Sequence, residues 1–398
     1  MTGGFRAVEI SDRVYWVGAI DWGIRNFHGY LTSRGSTYNA FLVLADKPTL
    51  IDTVKAQFGD EMMARIASVI DPSKIEYIVS NHAEMDHSGF LPEAIARLAP
   101  SKVFASSQGC DALDRHFHLG HPFEALKTGD SLELGGATLK FVESRMLHWP
   151  DSMLTYLVEG GVLFSNDAFG MHLASGERFA DELDRALLRE EATRYYANIL
   201  LPLSPVVRAF LEKVPSFGLD IRMIAPDHGP IWREDVGWII ERYAEWAAQK
   251  PSRKAVVVYD SMWGSTAKMA RAIGDGLAAG GARATLMPLD AAHRSEVATE
   301  ILGAGALVAG SPTMNGQIFP TVADTMTYLE GLKPKNLVGA TFGSYGWSGE
   351  ATAHLDEWLK RMQIELAAEA VRVKYVPTGA DLEACRKLGL AVAEKLPR

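Results

Sequence analysis

The second half of the chain alternates short apolar runs with longer amphipathic stretches at a regular spacing. The run AVVVYD precedes a helical stretch, TAKMARAIGDGLAAG, and the later apolar runs ATLMPL, ALVAGSP and LVGATFGS are each followed by a further predicted helix. Strands that stay apolar along their whole length are typical of a parallel sheet covered by helices on both faces. This half therefore predicts a doubly wound parallel sheet, a fold that binds ligands at the carboxyl ends of its strands.

The first half mixes strands and helices less regularly. Apolar runs predict strands at residues 40–44, 77–79, 103–105, 138–142, 154–158, 162–164 and 223–225. Amphipathic spacing predicts helices at residues 59–69 and 92–98, and one long helix that ends in TRYYANILLPL. Buried sheets covered by helices are the expected architecture.

The two halves meet near residues 249–253, within EWAAQKPSRKAVVVYDS. A helix rich in Trp, Tyr and Ala ends there, Pro251 interrupts it, and a wholly apolar strand follows. A chain of 398 residues is long enough for two domains that each have a hydrophobic core. We therefore predict domains at residues 1–250 and 254–398.

Composition and charge narrow the classes of function. The 40 Lys and Arg residues against 49 Asp and Glu residues give a formal net charge of -9, which argues against a nucleic-acid-binding surface. No apolar run approaches the roughly 18 residues of a membrane helix, and the N-terminal MTGGFRAVEISDR lacks the apolar core of a signal peptide. We therefore expect a cytoplasmic protein without a membrane partner. Cys110 and Cys385 are the only cysteines, which excludes a disulfide framework and a thiolate-rich iron or zinc centre.

Histidines and carboxylates are concentrated in SNHAEMDHSGF, which follows the apolar strand IEYIV and precedes a helix. Taken alone, this segment is equally well explained as a polar loop whose carboxylates cap the helix. Three further segments, LHWPDS, FSNDAFG and APDHGPIW, each place a potential ligand just after a predicted strand, so one sheet edge is expected to gather all seven groups. These candidate metal ligands are His82, Glu84, Asp86, His87, His148, Asp167 and His228.

Seven ligands are too many for one ion but suit two ions that share a carboxylate, and paired ions typically lie about 3.5–4 Å apart. Asp167 is the expected bridge because it stands alone on its loop. Imidazole and carboxylate ligands without thiolate suit iron, manganese or zinc. The carboxylates also stabilise an oxidised ion pair, which zinc does not form, so the ligand set favours redox chemistry. A rival cluster, His116, His118 and His121, has no supporting carboxylate at a strand end, and a solvated loop is its preferred interpretation.

Three loops at predicted strand ends of the second half are rich in glycine and small hydroxyl residues. The loop in YDSMWGSTAKMA combines hydroxyl groups with a helix N-terminus, an arrangement that binds a phosphate dianion, although by itself it is better explained as a serine-rich helix cap. It lacks the glycine patterns of triphosphate and dinucleotide loops. The loops in GSPTMNGQIFP and GSYGWSGEA bring backbone amides and aromatic rings to a planar ligand. The candidate cofactor-binding residues are Ser261, Met262, Trp263, Gly264, Ser265, Thr266, Pro312, Thr313, Met314, Asn315, Gly316, Ser344, Tyr345, Gly346, Trp347, Ser348 and Gly349.

The three loops together resemble the phosphate and ring loops of flavodoxin, which implies FMN as the cofactor. The ligand motif H-x-E-x-D-H with distant His, Asp and His resembles the flavodiiron proteins, whose first domain has the metallo-β-lactamase fold, an αββα sandwich. Hydrolases of that fold usually carry H-x-H-x-D-H and bind zinc, whereas Glu84 stands here at the second histidine position. The resemblance extends over nearly the whole chain, with both domains in the family's order.

The resemblance implies a non-haem pair of irons bridged by a carboxylate. It assigns His82, Glu84, His148 and Asp167 to one iron, and Asp86, His87, Asp167 and His228 to the other. It also implies that His28 and a tyrosine of RYYANI, Tyr195 or more specifically Tyr196, lean over the open face of the irons and donate a proton or hydrogen bond to substrate. Packing in a buried core is the alternative for either tyrosine.

The implied activity is reduction of dioxygen to water, of nitric oxide to nitrous oxide, or of both. Because two cysteines leave no rubredoxin-like extension, electrons are expected from a separate carrier, with rubredoxin first and a deazaflavin cofactor or an NADH-linked reductase as alternatives. A head-to-tail homodimer, or a tetramer, would bring each iron site to the partner's flavin. Two other interpretations stay open: a dinuclear zinc hydrolase fused to a flavodoxin domain, and an electron carrier whose first domain only docks partners.

Overall fold

The computed structural model of the protein describes residues 4–397. Its strands, numbered along the chain, are β1 Val8–Ser11, β2 Val14–Trp16, β3 Ala19–Asp21, β4 Asn26–Phe27, β5 Tyr30–Leu31, β6 Ser36–Tyr38, β7 Phe41–Val43, β8 Thr49–Ile51, β9 Tyr77–Ser80, β10 Lys102–Ser106, β11 Phe123–Leu126, β12 Ser131–Glu133, β13 Thr138–Glu143, β14 Met153–Leu157, β15 Val162–Phe164, β16 Met223–Ala225, β17 Lys254–Tyr259, β18 Arg283–Pro288, β19 Ala306–Met314, β20 Gln317–Ile318, β21 Val338–Tyr345, β22 Glu365–Leu366 and β23 Val371–Lys374. Its α-helices are α1 Gly59–Ala67, α2 Met85–Ser88, α3 Leu91–Leu98, α4 Ser107–Phe117, α5 Arg185–Tyr195, α6 Ser204–Lys213, α7 Val236–Ala248, α8 Ser265–Ala279, α9 Arg294–Ile301, α10 Pro320–Leu332, α11 Ala351–Arg361 and α12 Gly379–Lys395. Short 3-10 turns occur at Ala56–Phe58, Pro72–Lys74, Ala180–Glu182, Leu201–Leu203 and Val214–Phe217, and a π-helical turn at Tyr196–Leu200.

By their contacts, the described residues form two compact units. The first consists of residues 4–27, 32–195 and 205–244, and the second of residues 28–31, 196–204 and 245–397. The longest helix in this part of the chain, α12, has 17 residues, and none of the described helices is both long enough and apolar enough to cross a bilayer.

The first unit is a sandwich of two sheets. One sheet has the order β1-β2-β7-β8-β9-β10-β11 and the other the order β12-β13-β14-β15-β16. Alternate side chains of both sheets form one buried core between them, in which the ring centroids of Phe41 and Phe164 lie 5.1 Å apart. On the outer faces, α4 packs against β10 and β11, and α6 and α7 lie over Leu163 and Ile224 of the second sheet. The predicted αββα sandwich is therefore confirmed.

Most predicted elements of this unit are present, with small shifts at their ends. β15 and β16 have the predicted bounds, and the helix predicted at residues 59–69 ends at Ala67. The long helix predicted to end in TRYYANILLPL is not continuous, because α5 ends at Tyr195 and a π-helical turn and a 3-10 turn follow. Pro202 lies in the 3-10 turn, and it has no N–H to donate to the carbonyl group four residues earlier, so a regular α-helix cannot run through this turn.

The second unit is built on a parallel sheet with the strand order β18-β17-β19-β21-β22. β23 runs parallel to the end of β21, and β20 forms a short antiparallel pair with β19. Ala255, Val257 and Tyr259 of β17 face a core shared with α8 and α12, whereas Val256 and Val258 are buried on the opposite face. Both faces of the sheet are covered, which explains why its strands show no polar alternation, and the predicted doubly wound fold is confirmed.

Two segments from the first half of the sequence belong to this second unit. In residues 28–31, the Leu31 N–H donates a hydrogen bond to Ser295 Oγ at 3.2 Å. In residues 196–204, the Asn198 side chain accepts a hydrogen bond from the Tyr328 hydroxyl at 2.7 Å. The predicted boundary at residues 250–254 stays a prediction, because the second unit has members on both sides of it.

Helices α8 and α12 of the second unit cross at Gly276, which provides a test of the fold. A Cβ atom on Gly276 would lie 2.0 Å from the Arg386 carbonyl oxygen, so an alanine there must push the helices apart. We expect Gly276→Ala to lower the free energy of unfolding by about 1–3 kcal/mol in urea denaturation followed by circular dichroism. Gly331→Ala in α10 is the matched control, because its Cβ meets no heavy atom within 4 Å and alanine is the better helix former. An unchanged stability of Gly276→Ala would contradict the close crossing.

Candidate metal centre and flavin site

The seven predicted metal ligands follow four strands of the first unit. His82 and Glu84 come after β9, and α2, which contains Asp86 and His87, begins directly behind them. The ligands that follow β13, β15 and β16 are His148, Asp167 and His228. β9 belongs to one sheet and the other three strands to the second, so the prediction of a single sheet edge is wrong. Packing of the two sheets brings the strand ends of both together, and the ligands converge there.

His82, Glu84, His148 and Asp167 form the first cluster. The Nε2 atoms of His82 and His148 both lie 3.3 Å from Glu84 Oε2. The same two atoms lie 3.3 and 3.2 Å from Asp167 Oδ2. Four ligand atoms that all lie within 4.8 Å of one another surround a single point, as expected around one metal ion.

Asp86, His87 and His228 form the second cluster, and the Asp167 carboxylate lies beside it. His87 Nε2 lies 3.4 Å from Asp86 Oδ1 and 3.3 Å from Asp167 Oδ1. His228 Nε2 lies 3.2 Å from Asp86 Oδ2 and 3.4 Å from Asp167 Oδ1. The two oxygens of Asp167 therefore face different clusters, Oδ2 the first and Oδ1 the second, which is the geometry of a bridging carboxylate.

Several buried ligand atoms lack any partner that the protein itself supplies. Among residues 4–397, His82 Nε2, Asp86 Oδ1, His87 Nε2 and Asp167 Oδ2 are buried and make no hydrogen bond. Leaving a buried polar atom unsatisfied costs roughly 1–3 kcal/mol, and more for a charged group. Two cations at these positions would satisfy all four atoms, so the ligand set fits the implied ion pair.

The charges of the cluster set the protonation of its imidazoles. Burial alone would lower the pKa of His82, but the hydrogen bond with Asp151 and the neighbouring Glu84 carboxylate outweigh it and raise that pKa to about 10. The same balance between burial and neighbouring carboxylates raises the pKa of His148 to about 9 and the pKa of His87 well above its ordinary value. Without metal these imidazoles therefore hold protons at neutral pH, and a metal ion must displace them.

Buried groups also stand behind three of the imidazoles, at the ring nitrogen that faces away from the clusters. The distances are 2.9 Å from His82 Nδ1 to Asp151 Oδ2, 2.6 Å from His228 Nδ1 to the Thr37 carbonyl oxygen, and 3.4 Å from His87 Nδ1 to Asp227 Oδ2. Such partners fix the ring orientation and the tautomer of a metal-binding histidine. The sequence analysis missed them, although Asp151 and Asp227 stand inside the recognised segments LHWPDS and APDHGPIW.

The two tyrosines of RYYANI lie in different surroundings. The Tyr195 hydroxyl donates a hydrogen bond to Asp167 Oδ1 at 2.9 Å, whereas the Tyr196 hydroxyl bonds to Ser204 Oγ at 3.1 Å. Tyr196 is buried, and its ring centroid lies 5.4 Å from that of Trp246. The hydrogen bond to the bridging carboxylate therefore belongs to Tyr195, and the role predicted for Tyr196 stays a prediction.

Two histidines outside the ligand set differ in their positions. His28 is exposed and belongs by its contacts to the second unit, so its predicted role at the substrate stays a prediction. His172, which the sequence analysis missed, is buried with its ring centroid 4.5 Å from that of His228 and Nδ1 2.8 Å from Ser36 Oγ. Burial, aided by the charge of His228, lowers the pKa of His172 well below its ordinary value. Its only signal in the sequence is its place shortly after Asp167.

The rival histidines lie at the end of α4. His118 follows the helix in a left-handed conformation, with φ of 49°, and is exposed. The ring of His116 stacks on Trp149 with 6.5 Å between centroids. Within residues 4–397, His116, His118 and His121 belong to no group of potential metal ligands, and His116 and His121 are half-buried, so the predicted solvated loop stays a prediction.

A cavity of about 450 Å3 lies in the second unit at the ends of β17, β19 and β21. Predicted residues that line it are Met262, Trp263, Ser265, Pro312, Thr313, Met314, Asn315, Ser344, Tyr345, Gly346 and Trp347. Predicted residues of the same loops that do not line it are Ser261, Gly264, Thr266, Gly316, Ser348 and Gly349. Tyr375 and Val376, which follow β23, also line the cavity and were missed because their strand end was not recognised.

The cavity has the chemistry of a flavin phosphate site. Gly264, with φ of 84°, turns the chain into α8, whose first residues are Ser265 and Thr266. The positive end of a helix and its first N–H groups attract a phosphate dianion. Trp263 and Trp347 are 95% and 83% exposed beside this helix end, where their rings offer stacking surfaces to a planar ligand.

Comparisons with known proteins agree with both sites. Residues 37–229 match the family model described as ODP family beta lactamase, and residues 257–389 match the flavodoxin model. The chain is 47% identical over 394 residues to a nitric oxide reductase of Moorella thermoacetica, with 98% of each chain covered. The structure matches rubredoxin oxygen:oxidoreductase from the anaerobe Desulfovibrio gigas, with a TM-score of 0.96, 45% identity and 98% of each chain covered. It matches the flavodiiron protein from Giardia intestinalis with a TM-score of 0.94 and 34% identity, covering 98% of this chain and 96% of that one.

This chain belongs to the flavodiiron protein family. It is an oxidoreductase with a non-haem pair of irons and FMN as its cofactors. The zinc hydrolase alternative is not favoured, because Glu84 replaces a histidine of the zinc motif and a flavodoxin domain follows. The ligand assignments of the two clusters remain the residue-level proposal that the geometry supports.

Metal binding to the metal-free flavodiiron protein is expected to release protons. His82, His148 and His87 have raised pKa values, so each is protonated at pH 7 without metal and must lose that proton to bind an ion. The affinity for Fe(II) therefore rises as pH increases towards about 10, the pKa of His82, and falls in acid. Anaerobic calorimetry at pH 7 in two buffers of different ionisation enthalpy should detect more than one proton released per chain.

The control for this measurement is replacement of His116 and His118 together by alanine. Both lie outside the two clusters, so the number of released protons should not change. A binding enthalpy that is the same in both buffers would contradict the protonated state of the cluster.

Proposed function

We propose that this flavodiiron protein reduces dioxygen to water, nitric oxide to nitrous oxide, or both, with electrons that pass through FMN. The observation that carries the proposal is the Asp167 carboxylate, which faces two sets of imidazole and carboxylate ligands in a chain that also has a flavodoxin domain. The names of its relatives support it, because one is a nitric oxide reductase and another a rubredoxin oxygen:oxidoreductase.

The number of available electrons is consistent with both reactions. When bound, a diferrous pair supplies two electrons and reduced FMN two more, which matches the four electrons that convert dioxygen to two waters; coupling two nitric oxide molecules to nitrous oxide and water takes two. The same protein ligands serve both gases. Substrate preference therefore has to be measured with both.

The residues of the first unit hold and enclose the proposed pair. Each cluster would hold one iron, with Asp167 shared between them. The Tyr195 hydroxyl donates to Asp167 Oδ1, so it orients the bridge and holds a proton beside the second cluster. The side chain of His148 is 16% exposed and that of Glu84 is 10% exposed, the highest values among the seven ligands. Bulk water is therefore excluded except beside the first cluster.

The proposed external electron donor is a rubredoxin-type protein. The Desulfovibrio gigas relative carries rubredoxin in its name, and a deazaflavin cofactor or an NADH-linked reductase are the alternatives. The rim of the flavin cavity supports contact with another protein, since the side chains of Trp263 and Trp347 are almost fully exposed there. Exposed aromatic side chains are enriched at protein interfaces.

The proposed assembly is a head-to-tail homodimer, alone or as part of a tetramer, and the proposed location is the cytoplasm. In such a dimer the ligand loops of each protomer would face the flavin cavity of the other, which shortens electron transfer. Light scattering of the purified holoprotein measures the assembly directly.

The proposed activity is tested with protein that contains iron and FMN and is reduced anaerobically by rubredoxin and its reductase. Consumption of dioxygen and of nitric oxide is followed with the same donor, and we expect turnover of at least one gas. His148→Ala removes a ligand and should lower turnover at least about 100-fold, because losing a group behind a metal ligand already costs about 10–100-fold.

His118→Ala is the matched control, since it makes the same substitution in an exposed segment outside the clusters and should keep the rate. Zinc in place of iron, with ester hydrolysis and no consumption of either gas, would contradict the proposal. Full activity in His148→Ala would contradict the assignment of the first cluster.

A further inference from the structure

His87 lies between two buried carboxylates, one at each ring nitrogen. Its Nε2 atom is 3.3 Å from Asp167 Oδ1 in the second cluster, and its Nδ1 atom is 3.4 Å from Asp227 Oδ2 on the opposite side. An imidazole that binds a metal through Nε2 is neutral and carries its single proton on Nδ1. A buried N–H group needs an acceptor, and the structure places the Asp227 carboxylate 3.4 Å from this nitrogen.

The Asp227 side chain has no hydrogen bond that would explain its presence. It is 0% exposed, and neither of its carboxylate oxygens makes a hydrogen bond among residues 4–397. The nearby buried Asp52 differs, because it accepts bonds from the backbone N–H and the side chain of Asn81 at 2.6 and 2.7 Å. A buried carboxyl group without partners destabilises a fold. Stability therefore does not account for Asp227, whereas metal binding by His87 does.

The first cluster has a corresponding carboxylate that is better satisfied. Asp151 Oδ2 lies 2.9 Å from His82 Nδ1 and also accepts the Ala83 N–H at 2.6 Å. Asp151 is thus held in place by two donors before any ion binds. Among residues 4–397, the Asp227 carboxylate has its ion-pair contact with His87, so the orientation of the His87 ring relies on this single contact.

We propose that Asp227 is the positioning residue that makes His87 a ligand of the second iron. Its carboxyl group accepts a hydrogen bond from the Nδ1–H group and holds Nε2 towards Asp86 and Asp167. Without this acceptor the ring turns away, and the second iron keeps only Asp86, Asp167 and His228. The inference rests on the two-iron assignment made above.

Two substitutions separate loss of both acceptor oxygens from loss of one. Asp227→Leu keeps the number of side-chain heavy atoms but removes both acceptor oxygens, whereas Asp227→Asn keeps one acceptor oxygen and replaces the other by an amide group. We expect the Fe(II) affinity of the second position to fall about 100-fold in Asp227→Leu and about 10-fold in Asp227→Asn, the range found for lost partners of metal ligands. Iron content after desalting should fall from two ions per chain towards one.

Crystals measured at the iron absorption edge locate the loss. In Asp227→Leu, anomalous density should weaken between Asp86 and His228 and persist between His82 and His148. Asp151→Leu is the matched control, because it removes the carboxylate behind His82 and should deplete the first position instead.

Thermal unfolding of the metal-free proteins distinguishes positioning from folding. Asp227→Leu should unfold at a temperature no lower than the parent, because it removes a buried carboxyl group that has no hydrogen bond. Asp151→Leu should unfold at a lower temperature, because it leaves the buried Ala83 N–H without its acceptor. The two substitutions are therefore expected to change the stability of the metal-free protein in different ways.

Unchanged affinity of the second position in Asp227→Leu, or equal loss of iron from both positions, would overturn the proposal. If Asp227→Leu does not fold, Asp227→Asn decides, and an unchanged affinity of its second position likewise overturns it. A parent protein that binds fewer than two irons would instead overturn the two-iron assignment, so the two failures are distinguishable.

Discussion

The Asp167 carboxylate makes close contacts with both ligand clusters, and the arrangement of the metal centre depends on that sharing. Its Oδ2 atom lies against His82 and His148, while Oδ1 lies against His87 and His228. Because one carboxylate is shared, the two clusters cannot separate without one of them losing a ligand. A set of buried imidazoles and carboxylates is stable only when opposite charges are matched, either by protons on the rings or by metal ions.

The ends of four strands position the ligands around this carboxylate. β9 in one sheet and β13, β15 and β16 in the other end near the same place, and the packed core between the sheets sets the distance between them. In the second unit, the residues around the flavin cavity also follow the ends of strands, in this case three parallel strands. Sites supported by strands hold their groups more accurately than sites on long loops. In both halves, therefore, the polar residues of the site lie just after the end of an apolar strand.

The groups behind the ligands distinguish the two metal positions. Asp151 accepts two hydrogen bonds, one from His82 and one from the Ala83 N–H. The Thr37 carbonyl oxygen accepts one hydrogen bond from His228. Tyr195 adds a hydroxyl to the bridging carboxylate on the side of the second cluster. The His82 ring is therefore held by a hydrogen-bonded carboxylate, whereas the His87 ring lies beside a carboxyl group that makes no hydrogen bond among residues 4–397. Electrostatic differences between the positions arise from these neighbours, because each position has the same kinds of ligand.

The sequence by itself determined the class of each fold, and it predicted the ligand set and the flavin loops. Each of these residues stands directly after an apolar run, and local periodicity reveals where such runs stop. Only the tertiary structure decided which strand ends meet, because the packing of two sheets brings together segments that are distant in the sequence. The ligands were expected at the edge of one sheet, but they follow strands of two different sheets. The tertiary structure also shows that Tyr195, and not Tyr196, donates a hydrogen bond to the bridging carboxylate. Neighbouring tyrosines in a sequence differ only in the direction that α5 and the following π-helical turn give to their side chains. The tertiary structure was also needed to find three buried polar residues, Asp151, His172 and Asp227. The role of a buried polar side chain follows from the groups that it contacts and not from its neighbours in the sequence.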